Sequence, residues 1–138
     1  MKQDIRWKQR FDNFEKAVLL IREIEALDIS KTSRLEKEGI IQRFEFTLEL
    51  AWKTLKDKME ADGLILDKIS PKTVLKEAYK NKYIDNIELW LEMINDCNLL
   101  SHTYDFDFFM EVIPDIQQKY IPLLNQLYGS LAQPDSWA

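Results

Sequence analysis

The sequence predicts an all-α fold: an up-and-down four-helix bundle with an additional short helix, in a single domain over residues 1–132 with a C-terminal tail at 133–138. Apolar residues recur at spacings of three and four along most of the chain, which is the period of an amphipathic helix. Hydrophobic residues make up 46% of the 138 positions, enough for a compact core. Only three glycines occur, which argues against a dinucleotide-binding fold, a phosphate-binding loop or a β-sandwich.

The first two helices are predicted to be long. One apolar stripe predicts a helix over residues 5–27, and residues 28–31 are predicted to form a loop. A second stripe predicts a helix over residues 33–61. Gly63 is expected to end it, because glycine readily adopts the left-handed conformation that follows a helix C-terminus.

Two helix starts are predicted in the middle of the chain. Ser70, which is followed by proline, is a strong start signal for a short third helix that extends to residue 80. Asp85 and Glu88 resemble a capping box that opens a fourth helix, which extends to residue 104.

The core is predicted from the apolar faces of these helices. Phe44, Trp52 and Trp90 are expected to be core anchors, because aromatic residues at helical spacing usually pack inside. The predicted buried face of the fourth helix is Trp90, Met93, Ile94, Cys97, Leu100, Ser101 and Tyr104. Asp105 is a candidate cap for a fifth helix, in which a break is expected near Pro114 because proline removes a backbone donor.

The charge is unevenly distributed. The formal net charge is −5, and residues 83–118 contain eight acidic residues and no lysine or arginine. Such a surface repels phosphate backbones, so nucleic acid is not an expected partner, and it favours a cationic ligand or a basic protein surface. Residues 1–10 do not resemble a secretory signal, no apolar run is long enough to span a membrane, and the chain is expected in the cytoplasm.

Cys97 and His102 are the only cysteine and the only histidine. Because each type occurs only once, the chain cannot form an internal disulfide, a cysteine-based zinc site or a two-histidine metal site. No metal site is predicted in this chain. On a helix, Asn95, Asn98 and His102 fall on one face and form a candidate binding stripe. The alternative is a solvated face with a histidine near a helix C-terminus, and the residues alone favour this alternative.

Several motifs together resemble one family. The run from Gln42 to Lys56 (QRFEFTLELAWKTLK), Ser70-Pro71, the run WLEM that begins at Trp90, and SHTY that ends at Tyr104 are similar to HEPN domains of the nucleotidyltransferase substrate-binding subgroup. The similarity covers roughly residues 7–128. It implies a four-helix bundle that commonly forms a homodimer.

The resemblance also implies a partner. This would be a separately encoded small nucleotidyltransferase, which brings the NTP and its Mg²⁺, and the complex could be a heterotetramer. This chain would help to form the acceptor-substrate site and would have no catalytic activity alone. By analogy with aminoglycoside nucleotidyltransferases, Glu45 or Glu49 would be the carboxylate that approaches the acceptor hydroxyl. The alternative for Glu49 is an i,i+4 ion pair with Lys53.

Many HEPN domains are instead ribonuclease toxins that a nucleotidyltransferase antitoxin neutralises. Their pattern is an arginine, then four to six other residues, then a histidine. Here Cys97 occupies the arginine position before His102, and a thiol cannot supply a fixed cation to a phosphate. A ribonuclease is therefore an alternative function, and a structural dimer with no ligand is a second alternative.

The resemblance also makes Tyr104 a candidate modification site. In HEPN toxins, the tyrosine that follows the histidine can accept transferred AMP. The alternative is that Tyr104 closes the buried face of the fourth helix with its hydroxyl hydrogen-bonded, and the sequence favours this alternative.

Overall fold

The structure is a computed structural model that describes residues 2–102 and 104–133. No strand occurs among these residues, and the predicted all-α bundle is confirmed. The elements are α1 (Lys2–Glu25), a 3₁₀ turn (Ile29–Lys31), α2 (Arg34–Ala61), α3 (Pro71–Lys80), α4 (Ile87–His102), α5 (Phe106–Asp115), a π-helical segment (Ile116–Tyr120) and α6 (Ile121–Leu131). Of the predicted tail over 133–138, only residue 133 lies within the described part of the chain.

The helices α1 and α2 form an antiparallel hairpin. Arg10 Nε lies 2.9 Å from Asp57 Oδ2, and Arg43 Nη1 donates to the carbonyl of Leu20 at 3.0 Å. From one pair to the next, the residue number increases on α1 and decreases on α2, so the two helices run antiparallel. The short connection contains the 3₁₀ turn, where the predicted loop lies.

The helix α6 is antiparallel to α1 on another side of it. The Tyr128 hydroxyl donates to Glu15 at 2.5 Å, and Arg22 Nε donates to Asn125 Oδ1 at 2.7 Å. These contacts join residues more than 100 positions apart and close the bundle. No helix in the described part of the chain is long and apolar enough to cross a membrane.

The core contains two of the three predicted aromatic anchors. Phe44 and Trp90 are 0% and 1% exposed, which confirms them. Trp52 is only partly buried and packs against the edge of the core, so its prediction as a full anchor is wrong. It lies at the border of the apolar stripe, where its ring is 5.8 Å from the Lys53 ammonium.

Local hydrogen bonds define the ends of α2. Ser33 Oγ accepts from the Glu36 N–H at 3.1 Å and the Glu36 carboxylate accepts from the Ser33 N–H at 2.9 Å, which is a capping box. Gly63 has a φ of +96°, and the Leu64 N–H donates to the Met59 carbonyl at 3.0 Å. This is a Schellman motif, and the predicted glycine stop is confirmed.

The helix α3 begins and ends with comparable motifs. Ser70 Oγ accepts from the Thr73 N–H at 3.3 Å, as the predicted start requires. After the helix, the Tyr83 N–H donates to the Ala78 carbonyl at 2.8 Å, and Lys82 between them has a φ of +66°. Lysine occupies the position that usually belongs to glycine, which costs about 1 kcal/mol.

The predicted capping box of α4 is wrong. The helix begins at Ile87, and it is Asn86 Oδ1 that accepts from the Leu89 N–H, at 3.2 Å. Asp85 lies one residue too early to cap this helix. Asparagine and aspartate are comparable caps, so the sequence alone did not separate the two positions.

The end of α4 also differs from the prediction. The helix ends at His102, two residues early, and the predicted buried positions Ser101 and Tyr104 are exposed. Cys97 is partly buried, and the other four predicted members of this face are buried. The apolar stripe therefore stops at Leu100, and the last turn of α4 lies at the surface.

The region after α4 is one interrupted helix. Asp105 Oδ1 accepts from the Asp107 N–H at 3.0 Å and caps α5, as predicted. The chain stays α-helical through Pro114. The irregularity lies just after it, in the π-helical segment, where the Ile121 N–H donates to the Ile116 carbonyl five residues back. The wider turn precedes Pro122, whose ring clashes with a regular α-helix.

Candidate functional site

The polar face of α2 meets the second half of α4 in what we call the α2–α4 seam: Glu38, Glu45 and Glu49 on α2, with Cys97, Ser101 and the following Tyr104. The three glutamates lie at spacings of seven and four, so they share one side of α2. Ser101 Oγ donates to Glu45 Oε2, and the Tyr104 hydroxyl donates to Glu38 Oε2. Two carboxylates of the seam, those of Glu38 and Glu45, therefore accept hydrogen bonds from hydroxyl groups.

Cys97 lies against these carboxylates. Its pKa is raised to about 11, first by burial and then by the charge of Glu45, with a smaller contribution from Glu49 and an opposing one from the Ser101 hydrogen bond. The thiol is thus neutral at pH 7. Cys97 stands at the arginine position of the ribonuclease pattern, but it supplies no positive charge there, and acidic side chains lie close to it.

The ion-pair interpretation of Glu49 is confirmed, and its approach to an acceptor hydroxyl stays a prediction. Lys53 Nζ lies 2.7 Å from Glu49 Oε1, so the i,i+4 ion pair is present. The same carboxylate is close enough to influence the pKa of Cys97. Glu45 forms no ion pair with the described residues, and its contact with Ser101 makes it the carboxylate that is better placed to receive a hydroxyl.

Tyr104 lies beyond the end of α4 and is 64% exposed, so the prediction that it closes a buried face is wrong. Its hydroxyl accepts from Arg34 Nη2 at 3.2 Å while it donates to Glu38. The Tyr104 ring meets Phe109 edge-on, with centroids 5.2 Å apart. The side chain is therefore held at the surface, with its hydroxyl between a cation and a carboxylate.

Arg34 and Glu38 are site residues that the sequence analysis missed. The Arg34 guanidinium lies 4.3 Å from the Phe106 ring centroid, and its pKa is raised, first by the hydrogen bond with Tyr104. Glu38 is seven residues before Glu45, a spacing that indicates the same face of α2. Nothing in the sequence indicates that Arg34, in the first turn of α2, reaches across to the end of α4.

The predicted stripe on α4 borders this seam. Asn95, Asn98 and His102 are all exposed, and their side chains form no hydrogen bond or ion pair with the described residues. Asn98 follows Cys97 and His102 follows Ser101, so each lies about 100° around the helix from a seam residue. The structure thus brings Glu45 and Glu49 together with α4, and it leaves the amide and imidazole groups on the adjacent open face.

The described residues contain no group of three histidine, cysteine or acidic side chains that could hold a metal ion. The carboxylates of the seam follow one another along α2 and do not converge on a point. The arrangement supplies hydrogen-bond acceptors and negative charge, which suit a hydroxyl-bearing or cationic ligand.

Known proteins resemble this chain, and two of them are described here. A Haemophilus influenzae protein named Probable ribonuclease HepT is 35% identical over 95 residues, which cover 64% of this chain and 65% of that protein. The match thus spans just under two thirds of that relative's length. A crystal structure of a Thermus thermophilus protein superposes with a TM-score of 0.75 at 31% identity, and the match covers 87% of this chain and 99% of that one.

The family comparison covers most of the chain. A family model described as "Nucleotidyltransferase substrate binding protein like" matches residues 9–133. This range includes all residues of the α2–α4 seam and the stripe that borders it. The chain therefore belongs to the nucleotidyltransferase substrate-binding protein family of the HEPN superfamily, as its sequence motifs predict.

Proposed function

We propose that this protein is the helical, substrate-binding subunit of a two-component nucleotidyltransferase in the cytoplasm. A small catalytic nucleotidyltransferase binds the NTP and Mg²⁺, and this chain completes the acceptor site without catalytic activity of its own. The observation that carries the proposal is the contact between Ser101 and Glu45 within the α2–α4 seam. There, a carboxylate at the edge of an open face accepts a hydrogen bond from a hydroxyl group.

The acceptor molecule would replace that contact. Its hydroxyl donates to Glu45 in place of Ser101, and a base within hydrogen-bond reach is what transfer to a hydroxyl requires. Asn95, Asn98 and His102 on the open side contribute further polar contacts to the same molecule. The acidic stretch 83–118 attracts a cationic acceptor or a basic surface of the catalytic subunit.

The assembly belongs to the proposal. The chain forms a homodimer, and two catalytic subunits complete a heterotetramer. The family description supports a nucleotidyltransferase partner. The stoichiometry is tested by the mass of the purified complex in solution.

The first experiment is an affinity purification of the tagged chain from its native lysate, with recovered protein and RNA both identified. Stoichiometric recovery of a small nucleotidyltransferase is the expected result. Absence of such a protein at both low and moderate salt contradicts the proposal, because charge-assisted association is strongest at low ionic strength.

The purified complex then tests the role of the seam. Glu45→Gln is expected to reduce nucleotidyl transfer to an acceptor at least about tenfold, as loss of a general base does. Glu23→Gln is the matched control, because Glu23 is an exposed glutamate on α1 that pairs with Arg43, away from the seam. Equal activity of the two variants would show that Glu45 is not part of the acceptor site.

A ribonuclease is the second candidate, and the name of the Haemophilus influenzae relative favours it. The neutral thiol of Cys97 beside Glu45 opposes it, because RNA affinity depends on positive charge. The purified chain is expected to leave RNA intact. RNA cleavage that disappears in His102→Ala would establish the ribonuclease and displace the proposal.

The remaining alternative is a structural dimer with no ligand. A ligand that binds the folded state raises the melting temperature. An unchanged melting temperature of the complex across nucleotides and aminoglycoside-like cations would favour the structural dimer over a substrate-binding subunit.

A further inference from the structure

A cavity of about 600 Å³ lies between the end of α3, the start of α4 and α6. Its volume is within the range of small-molecule sites in proteins. Its lining includes Tyr79, Lys80, Lys82, Trp90 and Leu123. None of the residues that line this cavity belongs to the α2–α4 seam.

Positive charge predominates on the wall of this cavity. Lys80 and Lys82 contribute two ammonium groups, and neither forms an ion pair with the described residues. Asp85 is the one acidic residue among the described residues that line the cavity. Two ammonium groups and one carboxylate leave the wall with a net positive charge, which attracts an anion.

The backbone at Lys82 is a second feature of this wall. Its φ of +66° is a conformation that glycine adopts more readily than any other residue. A lysine here places an ammonium group at the cavity at the expense of backbone strain. Residues held in such conformations often belong to binding sites.

Trp90 and Leu123 give the cavity an apolar part. The Trp90 side chain is 1% exposed, so packing holds its ring in place. A flat aromatic ring of a bound molecule can pack against such a ring.

We propose that this cavity binds a small organic anion, a molecule that carries a phosphate or carboxylate group next to an apolar ring. The ammonium groups of Lys80 and Lys82 bind the anionic group, and the ring packs against Trp90 and Leu123. The site does not depend on the proposed function, because it shares no residue with the α2–α4 seam.

The test is calorimetric titration of the full chain with 1-naphthyl phosphate, 2-naphthoate and 1-naphthol. At least one of the two anions is expected to bind about tenfold more tightly than the neutral naphthol, because only the anions engage the lysines. Binding of the phosphate alone identifies a phosphate ester as the ligand class, and binding of both identifies a general organic anion. Equal affinity for naphthol, or no binding of either anion, overturns the proposal.

Variants locate the binding. The double variant Lys80→Gln/Lys82→Gln is expected to weaken anion binding at least about tenfold. Lys72→Gln/Lys76→Gln makes the same change of charge on exposed positions of α3 that do not line the cavity, and it is expected to leave affinity within about twofold. An equal loss in both double variants would show general charge attraction and contradict the proposed site. Lys82→Gly removes the backbone strain at a φ of +66°, so this variant is expected to be at least as stable as the natural chain. Loss of anion binding in it therefore cannot be ascribed to unfolding.

Discussion

The Ser101 hydroxyl on α4 donates a hydrogen bond to the Glu45 carboxylate on α2, across 56 positions of sequence. This contact lies where a polar face of α2 meets the last turn of α4. It also places Glu45 beside Cys97, the residue at the arginine position of the ribonuclease pattern. The local charge at that position is therefore negative, and the chemistry favoured there is hydroxyl and cation recognition.

The first prediction concerns the reactivity of Cys97. Because its pKa is raised to about 11, alkylation by iodoacetamide is expected to stay slow at neutral pH and to accelerate toward about pH 11. Glu45→Gln lowers this pKa, since it removes a negative charge that raises it. The measurement is the alkylation rate against pH by mass spectrometry, and the single cysteine makes the signal specific. A midpoint near the ordinary value of about 8.5 would contradict the buried, carboxylate-flanked thiol.

The second prediction concerns an ion pair whose carboxylate is buried. Asp57 is 1% exposed, and Arg10 Nε contacts its Oδ2 at 2.9 Å. Arg10→Met is expected to reduce the free energy of unfolding by about 2 kcal/mol, because among the described residues it leaves the buried carboxylate with Lys56 as its remaining ion-pair partner. Urea denaturation measures the change.

The matched control for that experiment is Arg43→Met. Arg43 pairs with Glu23 at 3.1 Å, but both side chains are exposed. The expected loss is below about 1 kcal/mol, since water screens the pair. An equal decrease in the free energy of unfolding in the two variants would show that burial of Asp57 does not strengthen its ion pair with Arg10.

The third prediction concerns Tyr120, whose hydroxyl donates to Asp96 and, at 3.2 Å, to Glu92. The pKa of Asp96 is raised, first by burial, and the Tyr120 hydrogen bond opposes that rise. A carboxyl group whose pKa is raised in the folded state keeps its proton to a higher pH there than in the unfolded chain. The free energy of unfolding therefore falls as the pH rises from the unfolded-state pKa to the folded-state pKa. Tyr120→Phe raises the pKa of Asp96 further.

The variant Tyr120→Phe is therefore expected to be more destabilised at about pH 7 than at about pH 4. Thermal or urea unfolding at the two pH values measures the difference. Tyr128→Phe is the control, because Tyr128 donates to Glu15 and its hydroxyl has no contact with Asp96. A loss of stability that is independent of pH would show that Asp96 does not titrate in response to Tyr120.

The fourth prediction concerns two left-handed residues. Gly63→Ala is expected to reduce the free energy of unfolding by about 1 kcal/mol, because alanine is strained at a φ of +96°. Lys82→Gly is expected to increase it by up to about 1 kcal/mol for the opposite reason. Urea denaturation of both variants gives the values, and a change of the same sign in both would contradict the assignment of strain.

The sequence predicted most helix ends correctly because the signals are local. Ser70 and Asp105 each accept a hydrogen bond from a backbone group two or three residues away, so the information lies within one turn. Gly63 ends α2 for a similarly local reason. The predicted start of α4 is wrong because Asp85 and Asn86 are neighbouring residues of comparable capping strength. The packing of the helix decides between them.

The helices and most of their caps follow from local sequence, because periodicity and capping depend on residues within a few positions of each other. The contact of Ser101 with Glu45 and the surface position of Tyr104 between Arg34 and Glu38 arise from the packing of distant helices. Those contacts join positions 56 to 70 residues apart. They depend on how the apolar faces of α2 and α4 pack together, which no local pattern specifies.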